Sequence, residues 1–417
     1  MNIFKKNLIK KKYKYKLLDD GISKDDISKA KFVLDSKQIT MASQTRKFEE
    51  TFAKKMGVKH ALMVNSGSSA NLLAIFASGN PLRKNKLKKG DEVIIPVLCW
   101  STSLWPIVQF GLKPVFIDID PNTLNVNEDD LIKKINSKTK CILLVNVHGN
   151  SCDLFKVRKI AKKKNIILIE DNCESLGSKL KKKNLGTFGD FGTFSFFYSH
   201  QITSGEGGMV VCNNDNDYEI LFALRSHGWL GGTRFYPRRL KTYNYYAKRY
   251  PNLDPRYIFV NSGFNLRPTD IQAAIGLNQF KRLNKLKMNR RSNRKLIIEC
   301  LKNDKRWKNQ FSFIGPAKNI SPSWMGLPIM INEKFKKKRM KFLNFLDKIG
   351  IETRPIISGS FTNQPASKLY KLNPRKTIFH NAQTVQELGF LIGLHQNKIS
   401  NKNLKLIKDT FLNIENI

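Results

Sequence analysis

Seven short apolar runs between His60 and Cys212 constrain the fold more than any other feature of the sequence. They alternate with polar stretches of helical periodicity and span residues 61–64, 92–97, 114–119, 141–147, 166–170, 193–197 and 209–212. Strands that are separated by crossover helices form a mostly parallel sheet with helices on both faces. The pattern therefore predicts an α/β protein whose large domain is built on this sheet.

The chain of 417 residues is long enough for this large domain and a second, smaller one. Residues 1–20 are basic and patternless, so we expect a loosely held N-terminal extension. The large domain is predicted over residues 21–288 and ends with a helix from Thr269 to Met288, and residues 289–417 are predicted to form a small C-terminal α/β domain. Residues 230–258 are aromatic and basic with few periodic apolar positions, which is typical of a long loop.

The composition is that of an ordinary soluble protein, with 41% hydrophobic and 26% charged residues. No apolar run approaches the length of a membrane span, and the polar start lacks the apolar segment of a signal peptide. We therefore expect a cytoplasmic protein without membrane insertion. The six cysteines form neither a C-x-x-C pair nor a disulfide framework, and we expect them to be small buried hydrophobes.

The net charge of +41 permits two interpretations. Many lysines could bind nucleic acid or anionic lipid, because a polyanion releases counterions when lysines neutralise it. However, the lysines recur in dispersed short runs, such as 162–164, 181–183 and 336–338, and not in one patch with interleaved aromatic residues. This distribution favours solvated surface charge, and we predict no specific nucleic-acid partner.

The segment from Gly192 to Cys212 is the one that points to chemistry. An aromatic run and an aliphatic run flank a polar stretch in which residues 205–208 read Gly-Glu-Gly-Gly and allow a tight backbone reversal. His200 should therefore be displayed on a loop between two core strands. An imidazole, whose ordinary pKa is about 6.5, can take up and return a proton near neutral pH.

The spacing of Ser195, His200 and the glycines at 205–208 resembles the motif of the DegT/DnrJ/EryC1/StrS sugar aminotransferases, a family of pyridoxal-phosphate enzymes. The resemblance covers about residues 20–400 and implies the aspartate aminotransferase fold (fold type I), in which a mostly parallel, mixed seven-stranded sheet forms the large domain. It also implies a homodimer with active sites at the subunit interface. In the family, a lysine that forms the Schiff base with the cofactor occupies the position of His200. Histidine at this position is typical of a branch that dehydrates nucleotide sugars at C3, so the resemblance implies that His200 is the catalytic base and that the cofactor is bound noncovalently.

The same resemblance implies which residues bind the cofactor phosphate. Gly67 and Ser68 open a predicted helix after the first strand, where free backbone N–H groups make an anion cradle. By itself such a segment is more often a helix cap that binds nothing. In the family the matching segment holds the phosphate, Ser195 is a further ligand, and Asn265 reaches the phosphate of the neighbouring subunit.

Three further residues match the family's contacts to the cofactor ring. Asp171 follows a strand, where a carboxylate can keep the pyridine nitrogen protonated, although an aspartate in this place is often only a helix cap. Glu174 matches the residue near the cofactor hydroxyl. Trp100 matches the aromatic residue that stacks on the ring, and its alternative role is that of a core tryptophan.

The implied enzyme is a lyase that uses pyridoxal and pyridoxamine 5′-phosphate and removes the C3 hydroxyl of a nucleotide-linked 4-keto-6-deoxyhexose. Segments 225–229, 353–359 and 393–396 resemble the branch that acts on GDP-4-keto-6-deoxy-D-mannose, in dideoxysugar and O-antigen biosynthesis. L-glutamate would regenerate the amine form of the cofactor.

Three alternatives remain open at this level. The first is a nucleotide-sugar 4-aminotransferase that uses a different lysine. The second is a CDP-4-keto-6-deoxy-D-glucose 3-dehydratase, whose iron–sulfur cluster needs four thiolates. Cys173 matches the first cluster cysteine, but Gly231, Thr233 and Lys241 fill the other three positions, so we expect no cluster and no other metal site. The third is a regulatory or nucleic-acid-binding relic without a cofactor.

Overall fold

The computed structural model describes residues 13–19, 21–231 and 236–417, with the side chain of Arg238 excepted. The α-helices of these residues are α1 (Lys24–Asp35), α2 (Ser43–Met56), α3 (Gly67–Ser78), α4 (Ser101–Gln109), α5 (Glu128–Lys134), α6 (Leu154–Lys163), α7 (Asp215–Arg225), α8 (Leu240–Arg249), α9 (Asp270–Lys302), α10 (Arg339–Ile349), α11 (Pro365–Leu369), α12 (His380–Leu388) and α13 (Asn401–Phe411). The β-strands are β1 (His60–Val64), β2 (Glu92–Pro96), β3 (Lys113–Ile117), β4 (Thr139–Val145), β5 (Ile167–Asp171), β6 (Lys179–Leu180), β7 (Lys183–Asn184), β8 (Phe191–Ser195), β9 (Gly208–Cys212), β10 (Phe311–Phe313), β11 (Ile320–Ser321), β12 (Gly326–Ile331), β13 (Thr353–Arg354) and β14 (Gly389–Gly393).

The seven predicted strands form one sheet in the order β1-β9-β8-β5-β4-β2-β3. The neighbours from β8 to β3 pair in parallel, and β9 pairs antiparallel with both β8 and β1. This arrangement confirms the predicted mostly parallel, mixed sheet, and each strand lies within two residues of its predicted bounds.

Alternating side chains of the central strands fill a core on each face of the sheet. In β4, Cys141 and Leu143 face the core shared with α3, α4 and α7, whereas Ile142 and Leu144 face the core shared with α5 and α6. Burying one such leucine or isoleucine contributes about 1.5–3 kcal/mol. Because both faces of the sheet are buried at β4, successive residues of this strand are all apolar, which explains the continuous aliphatic run in the sequence.

The C-terminal part of the chain forms a four-stranded antiparallel sheet in the order β10-β12-β14-β13. Its core includes side chains from α9, α10 and α13, among them Ile297, Phe342 and Phe411. The helix α9 begins with a capping box between Thr269 and Gln272 and continues to Lys302. The predicted domain boundary at 288 therefore falls inside a continuous helix.

The expectation of a loosely held N-terminus is wrong for residues 13–19. Tyr15 is fully buried in the core of the C-terminal sheet and pairs with Ile351. Its ring stacks on His395 at 4.3 Å between centroids. Residues 1–12 and 20 lie outside the described residues.

The predicted loop at 230–258 contains the helix α8, so that prediction is wrong for residues 240–249. None of the described side chains of α8 is buried. The helix therefore packs no side chain into the core, although Leu240, Tyr243 and Ala247 recur at helical spacing and the prediction missed them. Residues 232–235 of the predicted loop lie outside the described residues. No helix within the described ranges is both long and apolar enough to cross a membrane.

Candidate active site

The predicted site residues other than Asn265 gather at the carboxyl edge of the large sheet. Asp171 and Ser195 are the last residues of β5 and β8, and the segment that opens α3 directly follows β1. Because β1, β5 and β8 point the same way, their ends meet at one edge. Ligands of open α/β sheets bind at this edge.

The first turn of α3 forms a cradle against Ser195. A Cβ atom added at Gly67 would lie 2.4 Å from the Ser195 Cβ and 2.9 Å from its Oγ, so only glycine permits this approach. The first N–H groups of a helix have no partner within the helix, and the Ser66 side chain accepts only from the N–H of Ser69. The cradle therefore suits a phosphate group, as predicted for Gly67, Ser68 and Ser195.

The carboxylate of Asp171 is buried and held by neutral donors. Its Oδ2 accepts hydrogen bonds from Asn71 Nδ2 and Ser103 Oγ, both at 2.7 Å, and its Oδ1 accepts from the N–H of Cys173 at 3.0 Å. Asn71 is oriented in turn by Thr193, whose Oγ1 donates to Asn71 Oδ1 at 2.6 Å. No cation neutralises this carboxylate among its recorded bonds, so it can still pair with a protonated ring nitrogen.

The loop between β8 and β9 holds His200, as predicted. Arg290, a fully buried side chain of α9, donates from Nη2 to His200 O at 2.9 Å. The neighbouring Gln201 donates from Nε2 to the carbonyl oxygens of Glu174 and, at 3.0 Å, Ser323. The loop is therefore fixed to both the large sheet and the C-terminal part of the chain.

Burial governs the acid–base state of His200. Desolvation lowers the pKa of its imidazole to about 4, so the ring is neutral at pH 7 and able to accept a proton. Its Nδ1 is buried and has no hydrogen-bond partner among the described atoms. An unpaired polar atom of this kind is expected where a ligand completes the site.

Glu174 contacts a histidine to which the sequence assigned no role. The backbone N–H of His148 donates to Glu174 Oε2 at 3.0 Å, and His148 Nδ1 lies 3.4 Å from the same oxygen. The His148 ring is buried, and its backbone has a φ of 50°, in the left-handed region that costs a non-glycine residue about 1–3 kcal/mol. Strained residues of this kind cluster at functional sites. The sequence signal that could have identified His148 was its position just after the fourth apolar run.

Trp100 is not a core residue, because 59% of its surface is exposed. It stands at the N-cap of α4, and two residues later Thr102 Oγ1 accepts a hydrogen bond from Ser68 Oγ at 3.1 Å. The start of α4 therefore lies beside the phosphate cradle. Its stacking on a cofactor ring stays a prediction.

Asn265 does not join the other predicted residues within one chain. Its side chain is exposed and accepts a hydrogen bond from Arg267 Nε at 3.1 Å, and none of the contacts recorded for the described residues links it to Asp171 or Ser195. This placement leaves it available to a neighbouring subunit, which stays a prediction.

Cys173 lies beside the cradle, where its Sγ would be 3.0 Å from a Cβ added at Gly67. Burial raises the pKa of its thiol well above the ordinary value, so the group is not a thiolate. Cys99, Cys141, Cys152 and Cys212 are buried, as expected, whereas Cys173 and Cys300 are only partly buried. Over the described ranges, His, Cys, Asp and Glu side chains form no group of three or more that could hold a metal ion. Thr233, at one position where the iron–sulfur branch has a cysteine, lies outside those ranges.

Comparison with known proteins identifies related sequences and structures. Residues 20–408 match the DegT/DnrJ/EryC1/StrS aminotransferase family. GDP-4-keto-6-deoxy-D-mannose 3-dehydratase of Escherichia coli O55:H7 is 38% identical over 365 residues, which cover 87% of this chain and 91% of the relative. GDP-perosamine synthase of Vibrio cholerae is 33% identical over 343 residues, covering 82% and 83%. A structure of E. coli GDP-4-keto-6-deoxy-D-mannose-3-dehydratase with bound hydrated PLP superposes with a TM-score of 0.84 at 34% identity and covers 96% of this chain and 99% of the other.

Proposed function

The chain belongs to the DegT/DnrJ/EryC1/StrS aminotransferase family and has the fold of its pyridoxal-phosphate enzymes, and on that basis we propose that it is a nucleotide-sugar 3-dehydratase. Its substrate would be a nucleotide-linked 4-keto-6-deoxyhexose, with GDP-4-keto-6-deoxy-D-mannose as the first candidate. It would use pyridoxal and pyridoxamine 5′-phosphate without a covalent tether and without an iron–sulfur cluster, and L-glutamate would supply the amine. The product would enter dideoxysugar or O-antigen biosynthesis.

His200 is the observation that carries this proposal. It occupies the position at which aminotransferases of the family have their lysine, and an imidazole cannot form the same covalent bond with the cofactor aldehyde. Its neutral state at pH 7 suits a group that accepts a proton. The similarity to a GDP-4-keto-6-deoxy-D-mannose 3-dehydratase supports the same assignment.

Different residues of the site would hold different parts of the cofactor. When bound, the cofactor supplies the amine that condenses with the sugar ketone and the ring that accepts electrons. The N-terminus of α3, at Gly67 and Ser68, and the hydroxyl of Ser195 would hold its phosphate. Asp171, kept in place by Asn71 and Ser103, would hold the proton on the pyridine nitrogen.

His200 would act directly on the reaction. As a neutral imidazole it would remove the proton from C4′ of the cofactor, and as the resulting imidazolium it would give a proton to the departing C3 hydroxyl. General acid–base catalysis of this kind contributes about 10²–10⁴-fold. The rigid loop that Arg290 and Gln201 hold would fix the position of the ring during both transfers.

We also propose a homodimer that completes each site with Asn265 of the neighbouring subunit. The stretch of chain that leads to Asn265 exposes large aromatic side chains at Tyr245, Tyr257 and Phe259. Exposed large apolar side chains that cluster mark interaction surfaces. The proposed location is the cytoplasm, which agrees with six cysteines that are all free thiols.

The second candidate function is a nucleotide-sugar aminotransferase, because a GDP-perosamine synthase is also similar. One lysine of the described chain has the chemistry that this function would need. Lys287 is half-buried, donates from Nζ to Gly177 O at 2.8 Å, and has its pKa lowered by burial to about 8. A lysine of this kind is a better nucleophile than an ordinary one.

One experiment separates the two functions. Purified protein is incubated with pyridoxal phosphate, reduced with borohydride and analysed by mass spectrometry, with His200→Lys as the positive control for covalent attachment. We expect cofactor mass on the chain of the His200→Lys variant only, and conversion of the wild-type cofactor to its amine form with glutamate. Wild-type protein should then remove the C3 hydroxyl of GDP-4-keto-6-deoxy-D-mannose, and His200→Asn should do so about 10²–10⁴-fold more slowly. Cofactor mass on Lys287 of the wild type would instead establish the aminotransferase.

A further inference from the structure

His148 is a buried titratable residue that the proposed mechanism does not use. Its side chain is 1% exposed, and neither ring nitrogen has a hydrogen-bond partner among the described atoms. A buried polar atom without a partner destabilises the folded state. A leucine of similar volume would fill the position without that cost, so stability does not explain why a histidine is found here.

The backbone at His148 is held in one conformation by its neighbours. Gly149 follows with a φ of 91°, and a Cβ atom added there would lie 2.4 Å from Ser323 O. The N–H of Gly149 donates to Ser175 Oγ at 3.0 Å, and Ser178 Oγ donates to Gly149 O at 2.7 Å. These contacts fix the direction in which the N–H and the ring of His148 point.

Both groups of His148 lie against one oxygen of Glu174. The backbone N–H donates to Oε2 at 3.0 Å, and Nδ1 lies 3.4 Å from the same atom. The second distance is slightly long for a hydrogen bond, and a small rotation of the ring would close it. Among the described residues, no hydrogen bond to the other oxygen, Oε1, is recorded, and the Glu174 side chain is 18% exposed. The carboxylate therefore has one oxygen held by His148 and one oxygen available to a ligand.

Glu174 is also connected to the loop that holds His200. Its backbone oxygen accepts a hydrogen bond from Gln201 Nε2, and Gln201 directly follows His200 in the chain. Burial is the main cause of the lowered pKa of His200, and the charge of His148 lowers that pKa further. His148, Glu174 and His200 are therefore close enough to influence one another.

We infer that His148 is a positioning residue that acts on the cofactor through Glu174. The inference rests on the proposed function, because it takes the ring hydroxyl of the cofactor to lie at Glu174. A donor at Oε2 draws negative charge from the carboxylate, so Oε1 attracts the proton of that hydroxyl less strongly. His148 therefore favours the ionised form of the hydroxyl over the protonated form, and it keeps Oε1 turned toward the ring.

The test records the absorption spectrum of bound pyridoxal phosphate, because the ionised hydroxyl absorbs at a longer wavelength than the protonated one. We expect the ratio of the ionised to the protonated form to fall on the order of 10-fold in His148→Leu, since the carboxylate loses a charge-assisted donor. His148→Asn should restore most of the ratio, because its Nδ2 can donate in place of the ring Nδ1 and asparagine readily adopts a positive φ. His380→Leu, which replaces an exposed histidine of α12, is the matched control and should keep the wild-type ratio.

A double-variant cycle shows whether His148 acts through Glu174. In the Glu174→Gln background, His148→Leu should leave the ratio unchanged, because the carboxylate on which His148 acts is absent. An equal fall in both backgrounds would assign the effect to packing or backbone strain and would overturn the inference. His148→Ala adds no volume and should show the same pattern, so the comparison does not depend on the fit of the leucine.

The outcomes separate this inference from the proposed function. A wild-type spectrum of the bound cofactor in both His148→Leu and His148→Ala would overturn the role of His148 and leave the dehydratase in place. Failure of the wild type to bind pyridoxal phosphate would overturn the proposed function itself.

Discussion

His200 is the residue on which the proposed chemistry depends. Burial in the β8–β9 loop lowers its pKa to about 4, from an ordinary value of about 6.5. The unfolded chain therefore binds a proton below pH 6.5 that the folded protein does not accept until about pH 4. The contribution of His200 to stability is fully present above pH 6.5 and is lost as the pH falls toward 4.

This linkage gives a prediction for the protein without cofactor. Relative to His200→Gln, the wild type should lose on the order of 2 kcal/mol of unfolding free energy between pH 7.5 and pH 4.5, because only the wild type has this depressed pKa. Urea titrations at both pH values measure the difference. His380→Gln, which removes an exposed histidine, is the matched control and should follow the wild type. Parallel behaviour of the two variants would show that His200 is not desolvated.

Sequence analysis located candidate site residues where a motif was local. The resemblance placed Asp171, Ser195 and His200, and the structure brings these residues to one sheet edge. It did not find Ser103 or His148, because their partners lie 68 and 26 residues away in the chain. Such contacts depend on which strand ends become neighbours in the sheet. A local sequence pattern does not contain this information.

Among the helices and strands, α2, α7 and β1 are joined by a buried ion pair. Arg225 Nη1 donates to Glu49 Oε1 at 2.7 Å and to Met63 O at 2.8 Å. The N–H of Met63 donates back to the same Glu49 oxygen at 2.8 Å. Neither charged side chain has more than 1% of its surface exposed, so each depends on the other for compensation.

Removal of one residue of the Glu49–Arg225 pair should lower the free energy of unfolding. Arg225→Met is expected to lower the unfolding free energy by about 3–5 kcal/mol, because it leaves the Glu49 carboxylate buried and unpaired. The double variant Glu49→Leu/Arg225→Met should recover much of this loss. Arg256→Met, which breaks an exposed ion pair with Asp254, should cost less than about 1 kcal/mol. Chemical denaturation measures all three, and a small effect of Arg225→Met would show that solvent reaches the pair.

The helix α8 was missed although its sequence has an apolar face. Leu240, Tyr243 and Ala247 lie on that face at helical spacing, but none of the described side chains of the helix is buried. Two other signals were present, since Pro237 begins the short 3₁₀ turn before it and Lys248 and Arg249 occupy its last turn. Cations stabilise the carboxyl end of a helix. A prediction that also used the residues typical of helix ends would have found this helix.

For the whole molecule, the proposed dimer predicts complementation between inactive variants. His200→Asn and Asn265→Ala should each be nearly inactive as homodimers, since each spoils both sites. Co-expression should restore about a quarter of the wild-type activity, because half of the dimers are mixed and each has one intact site. Assay of the co-expressed mixture for loss of the C3 hydroxyl measures this, and mixed dimers isolated through a different tag on each chain should have about half of the wild-type activity.

The control for complementation pairs His200→Asn with Asp171→Asn. Both residues are expected to come from the same chain in each site, so no intact site forms and activity should stay low. Recovery in this control, or no recovery with Asn265→Ala, would contradict a site shared between subunits. Sedimentation analysis of each variant confirms that the dimer itself is retained.

The sequence by itself determined the seven-stranded sheet, the loop that displays His200 and the family. These features depend on residues that are close together in the chain, namely the alternation of apolar runs with helical stretches and the short motifs. Only the tertiary structure decided that residues 13–19 are anchored, that α9 continues from one core into the next, and that Asp171 is held by Asn71 and Ser103. The physical reason is that these features depend on contacts between segments that are distant in the chain. Such contacts form only when the strand ends and the helix faces come together.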